Sequence, residues 1–191
     1  MGKLVVTEFI TLDGVIEDPG GGETFERGGW AFRFDRGEEG DKFKLDELMA
    51  SDAQLLGRKT YEGFAKAWPA MDGTGEFGEK MNAMPKFVVS TTLEHAEWNN
   101  STVIDGNLAE QVGKLKQQFD GDILVAGSAQ LVQSLLDDKL VDELRLMVFP
   151  VVLGAGKRLF KDDADQAAFS LVETKQAGSV AILTLRPADA E

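Results

Sequence analysis

The chain opens on an almost unbroken run of strand-forming positions. Lys3-Leu4-Val5-Val6-Thr7-Glu8-Phe9-Ile10 is apolar and β-branched on both parities, the pattern of a strand buried on both faces. From Asp41 to Ala50 the period lengthens, and Leu45, Leu48 and Met49 share one helical face. A short strand follows over 53–56, a helix over about 59–67, and a strand over 86–90. Asn107 with Glu110 three positions on is a capping box. It starts a helix whose inner face carries Leu108, Val112, Leu115 and Phe119. The strand predicted over 122–126 runs straight into Gly127-Ser128, and the next helix carries Leu131, Val132, Leu135 and Leu136. Three strands, over 143–149, 169–174 and 180–186, finish the chain.

Strand–helix alternation followed by strands alone predicts an α/β fold. Its central sheet is mixed and mostly parallel, flanked by helices, with antiparallel strands at the C-terminal end. With no repeat or low-complexity linker, residues 1–191 are expected to form one domain, with a core over about 3–186. One segment fits neither period. Residues 17–40 are rich in Gly and charge yet carry Trp30, Phe32 and Phe34, which suits either a lid over a ligand or an ordinary surface loop.

Composition narrows the functions. The 191 residues hold 43% hydrophobic positions, ordinary for a globular domain. With 33 acidic against 20 basic residues the formal charge is -13, which argues against a nucleic-acid surface. There is no cysteine and one histidine, His95, so thiolate chemistry is excluded and no metal site is expected. The first apolar run is too short for a signal-peptide core, and no window approaches the roughly 18 apolar residues of a membrane span. A cytoplasmic protein with no membrane partner is expected.

Two strand-to-helix turns carry the candidate chemistry. In Leu55-Leu56-Gly57-Arg58-Lys59-Thr60 and Val125-Ala126-Gly127-Ser128-Ala129, a Gly ends an apolar strand just before a helix starts. Helix N-termini attract anions, and Arg58 and Lys59 oppose the helix dipole unless a phosphate sits there. A tight turn alone explains either Gly singly; the pair, one of them cationic, points to phosphate. Ser90-Thr91-Thr92 adds hydroxyls at the end of another strand. Thr11-Leu12-Asp13-Gly14 is either a simple turn or a carboxylate brought to a ligand. Gly154-Ala155-Gly156-Lys157-Arg158 fails the P-loop pattern, because Val151 stands where its first Gly belongs.

Taken in order, Thr11-Leu12-Asp13-Gly14, Leu56-Gly57-Arg58-Lys59-Thr60-Tyr61-Glu62, Ser90-Thr91, Gly127-Ser128 and Val141-Asp142-Glu143-Leu144 resemble the dihydrofolate reductase-like superfamily. Pro150-Val151-Val152-Leu153-Gly154-Ala155-Gly156-Lys157-Arg158-Leu159-Phe160 is similar to the branch holding the reductase domain of the bifunctional riboflavin-biosynthesis deaminase-reductase. The resemblance implies an eight- or nine-stranded mixed sheet that binds NADPH at its carboxyl edge. It implies that Arg58 and Ser90 or Thr91 hold the 2′-phosphate, while Lys59, Thr60 and Gly127-Ser128-Ala129, beside Gly57, cradle the pyrophosphate. It also implies a homodimer.

The activity expected on this basis is hydride transfer from NADPH to a C=N or C=O bond of a small heterocycle. The leading substrate is 5-amino-6-(5-phosphoribosylamino)uracil. Asp13 and Asp41 are the candidates for substrate contact or proton supply, Asp41 being the candidate acid on the helix before the Gly57-Arg58 turn, with Asp46 behind it. The alternatives are a pterin or dihydrofolate reductase, and a dimeric NADPH-binding module with little turnover.

Overall fold

The computed structural model describes residues 1–188. Eight strands form one sheet: β1 (Leu4–Thr11), β2 (Ser51–Gly57), β3 (Lys86–Val89), β4 (Ser101–Ile104), β5 (Asp122–Val125), β6 (Glu143–Phe149), β7 (Phe169–Ala177) and β8 (Val180–Pro187). Five helices accompany them: α1 (Gly37–Met49), α2 (Arg58–Ala67), α3 (Gly75–Ala83), α4 (Leu108–Gln118) and α5 (Ala129–Asp137). The strand order is β4-β3-β2-β5-β1-β6-β8-β7. The pairs among β1 to β6 are all parallel, and β8 runs antiparallel to both β6 and β7.

The doubly buried strands separate their side chains by parity. Leu4, Val6 and Ile10 of β1, with Leu55, Ile123 and Val125, pack against Val112 and Leu115 of α4 and Leu131, Val132 and Leu135 of α5. Val5, Leu56, Val88 and Leu124 point the other way, onto Leu48 of α1, Tyr61 of α2 and Met81 of α3. The chain therefore moves outward from β1 through β2 and β3 to β4 with its connecting helices on one face. It returns to β5, between β2 and β1, with α4 and α5 on the other. The reversal of strand order at β5 opens a crevice at the carboxyl ends of the strands, where α/β sheets bind ligands.

Two elements exceed what local pattern signalled. α3 begins Gly75-Glu76-Phe77-Gly78 and reads as a loop. It is held as a helix by burial of Met81 and by the Phe77 ring, whose centroid lies 5.2 Å from that of Trp68. β4 holds only two apolar residues, and its pairing with β3 carries it. The segment over residues 17–40 is anchored rather than loose. Trp30 is wholly buried edge-on to Phe149, at 5.4 Å between centroids, and its indole N–H donates to the Glu17 carbonyl at 2.9 Å. No helix of the described residues is long and apolar enough to cross a membrane.

Candidate functional site

Along the carboxyl ends of β1 to β5 lies a cleft of about 1350 Å³. Gly57, Arg58, Lys59, Thr60, Ser90, Thr91, Gly127, Ser128 and Ala129 all line it, although they come from three separate turns. The β2–α2 and β5–α5 turns touch. The Gly57 N–H donates to the Gly127 carbonyl at 3.3 Å, and a Cβ added to Gly57 would meet Ser128 Oγ at 2.3 Å. Gly127 has φ +86°, and a Cβ there would meet Thr60 Oγ1 at 2.9 Å. Both positions thus require glycine for close approach, and Gly127 also for its left-handed backbone.

Capping separates these helices from α4. Asn107 Oδ1 accepts the Glu110 N–H at 2.9 Å, which satisfies the start of α4. At α2 and α5 the N-cap residues are Gly57 and Ser128, neither caps with a side chain, and the first turns hold no acid. Their first N–H groups therefore have no side-chain acceptor and lie beside the cleft. Arg58 leans on Glu62 at 3.1 Å, an exposed pair of the kind that contributes about 0–1 kcal/mol. Ser90 Oγ accepts the N–H groups of Thr92 and Leu93, which fixes the turn after β3.

The two predicted acids fare differently. Asp41 stands on the cleft wall, largely exposed and paired with Arg36. Asp13 is absent from the cleft lining. Its carboxylate accepts Thr11 Oγ1 at 2.6 Å and the backbone N–H groups of Leu153 at 3.1 Å and Gly154 at 2.7 Å, tying two loops together. Desolvation acts to raise its pKa, but the hydrogen bonds from Thr11, Gly154 and Leu153 win and bring it down to about 2. A carboxylate so placed holds no proton at neutral pH.

Pattern reading missed two buried acids of the cleft. Glu47, buried on α1, accepts Thr7 Oγ1 at 2.7 Å and pairs with Lys44, whose Nζ also donates to Thr7 Oγ1 at 2.9 Å. Glu8 on β1 is 8% exposed, and its Oε1 is buried with no hydrogen-bond partner. Burial pushes its pKa up to about 8, while Lys44 and the Gly127 backbone offset only part of the shift. Four buried side-chain atoms among the described residues lack a partner, and three of them, on Glu8, Asp18 and Gln54, line this cleft. Unsatisfied buried polar atoms gathered in one concavity mark a place where a ligand supplies the missing bonds. Among the described residues no group of three or more His, Asp or Glu is placed to hold a metal.

Comparison with known proteins bears on the fold and the family. The chain is 31% identical over 180 residues to the uncharacterized protein YyaP of Bacillus subtilis (strain 168), covering 93% of this chain and 90% of that protein. Its fold matches a diaminohydroxyphosphoribosylaminopyrimidine deaminase/5-amino-6-(5-phosphoribosylamino)uracil reductase from Thermotoga maritima with TM-score 0.65 at 16% identity, over 98% of this chain and 57% of that one. It also matches a dihydrofolate reductase from Enterococcus faecalis, solved with NADP(H), with TM-score 0.59 at 15% identity over 98% of each chain. At these identities the two structures establish a dihydrofolate reductase-like fold. The model of the RibD C-terminal domain spans residues 2–183, and the chain belongs to that family.

Proposed function

We propose that the chain is an NADPH-dependent reductase acting on a C=N or C=O bond of a small heterocycle. The first substrate to test is 5-amino-6-(5-phosphoribosylamino)uracil, the compound reduced in riboflavin biosynthesis. One observation carries this reading: two helix N-termini without side-chain caps, one bearing Arg58 and Lys59, meet over glycines whose Cβ positions would be filled. That is the donor set a dinucleotide requires, with backbone N–H groups for the pyrophosphate and cations for the added phosphate. Membership of the RibD C-terminal domain family supports it, as does the NADP(H) complex of the Enterococcus enzyme.

When bound, NADPH supplies the hydride, and the protein's part is orientation and proton management. Lys59, Thr60 and the Gly127-Ser128-Ala129 turn would hold the pyrophosphate. Arg58, whose exposed pair with Glu62 is weak, would hold the 2′-phosphate together with Ser90 or Thr91, which line the same cleft. The substrate occupies the part of the cleft bounded by α1 and the segment over residues 17–36, where Phe32, Arg36 and Lys44 line the wall.

NADPH oxidation measured with the aminouracil tests the reading directly. Turnover with it, and none with dihydrofolate, is the expected result. Stabilisation of the protein by methotrexate would move the substrate to the pterins. NADPH binding without oxidation across pyrimidines, pterins and carbonyls would make the chain a binding module.

A further inference from the structure

Glu8 is an anomaly that neither the anion site nor the fold uses. In β1 it shares the parity of Leu4, Val6 and Ile10, all core residues on the α4–α5 face. The last β1–β5 pair is Val6 with Val125, whereas β1 stays paired to β6 as far as Thr11 with Phe149. Glu8 therefore sits where β5 leaves the sheet to form the Gly127-Ser128 turn, and a Cβ on Gly127 would lie 3.9 Å from Glu8 Oε1. The side chain lines the cleft, is more than nine-tenths buried, and offers an oxygen with no partner.

The surroundings leave it unneutralised. From β6 its register partner is Leu146, which is uncharged. From the β5–α5 turn it meets the Gly127 backbone. From α1, Lys44 is the cation within electrostatic reach, but Lys44 Nζ is bonded to Glu47 and Thr7. Arg58 and Lys59 belong to the neighbouring β2–α2 turn, at the start of α2, where the dinucleotide phosphates would engage them.

We propose that Glu8 is the acid that delivers the proton to the heteroatom of the substrate's reducible bond. The inference rests on the reductase reading. As hydride adds to carbon, the π electron pair of C=N or C=O moves to nitrogen or oxygen. That atom takes the proton from the Glu8 carboxyl, a new N–H or O–H bond forms, and the O–H bond of Glu8 breaks. The carboxylate recovers a proton from solvent after product leaves. An acid for this task must hold its proton near neutral pH, and the burial that lifts the Glu8 pKa to about 8 provides that. Asp13, ionised in its turn, lacks such a proton, and Asp41 is salt-bridged on the wall.

Two measurements on wild type, Glu8→Gln and Glu8→Asp test this. In the first, the carboxyl carbons of ¹³C-glutamate-labelled protein are titrated by NMR, and the Glu8 resonance is assigned by its loss in Glu8→Gln. A midpoint above about pH 7 is expected; a midpoint in the ordinary glutamate range, near 4.3, overturns the proposal whatever the activity. In the second, single-turnover oxidation of bound NADPH by the aminouracil is followed against pH, with NADPH affinity measured in parallel. Glu8→Gln should lose about 100-fold or more in rate while NADPH affinity changes by less than about threefold. Glu8→Asp should keep part of the rate and the fall at high pH, which guards against a fold defect in the amide. Equal losses of rate and NADPH affinity would make Glu8 a cofactor-positioning residue and overturn the proposal. If wild type binds NADPH but oxidises none across pyrimidines, pterins and carbonyls, the reductase reading falls and the proposal with it, and the NMR midpoint still reports whether Glu8 holds a proton.

Discussion

Glu8 and Asp13 lie within six residues of one another, one inside β1 and the other in the turn beyond it, yet their carboxyls have opposite characters. Asp13 collects two backbone N–H groups and a hydroxyl, and its pKa falls to about 2. Glu8 is buried with an oxygen that nothing bonds, and its pKa rises to about 8. Donors stabilise the ionised form and desolvation opposes it, so residue type alone says little about which acid has a proton to give. The motif-bearing acid holds loops together, while the acid without a motif faces the cleft.

The contrast has its largest consequence in the pH dependence of stability. Glu8 keeps its proton when folded and loses it near pH 4.5 when unfolded. Its contribution is therefore fully present below that pH and is lost as pH rises toward about 8. Over that window wild type should lose on the order of 3–4 kcal/mol relative to Glu8→Gln. Thermal denaturation of both proteins from pH 4 to 9 measures it, and a pH-independent difference would break the contrast.

Next in size is the cofactor contact. Arg58→Ala should weaken NADPH by about 10- to 100-fold, as one charge-assisted contact is worth about 1.5–3 kcal/mol, and leave NADH nearly unchanged. Calorimetric titration with both nucleotides decides it; equal losses would place Arg58 away from the 2′-phosphate.

A smaller effect is expected at the turn. Asp13→Asn should cost about 1–2 kcal/mol in denaturant unfolding, because one oxygen of the backbone clamp is replaced by a donor, with turnover within about twofold of wild type. The wild-type carboxylate stabilises the fold above its unfolded pKa of about 4, and this is lost as pH falls toward 2, so the variant's acid profile should be flatter. A large loss of turnover without a loss of stability would return Asp13 to the chemistry. The smallest effect belongs to Asp41→Asn, under about 0.5 kcal/mol in the same assay, since its pair with Arg36 is exposed.

Much of the sheet was legible because parallel strands buried on both faces read as apolar runs, and β1, β5 and β6 fall close to their predicted spans. The Asn107 cap was legible for a local reason, its bond to Glu110 lying within one turn. α3 escaped because two glycines in its first turn lower its propensity, and packing on Trp68 overrides them. In the site, the Gly57 and Gly127 turns were legible from strand, glycine and helix start in succession. Glu8 was visible as a charge inside an apolar strand, which is itself the signal of a functional or paired acid. Its significance was hidden because the turn that leaves it bare, Gly127-Ser128, lies more than a hundred residues away.

The sequence by itself determined the α/β class, the order of most elements and the glycine turns at which a nucleotide would dock. These follow from periodicity and backbone freedom, which act over a few neighbours. Only the tertiary structure decided that three turns share one cleft, that Asp13 is consumed by a backbone clamp, and that Glu8 is buried without a partner. Proton affinity depends on burial and on donors brought in from distant segments, and no local pattern carries that information.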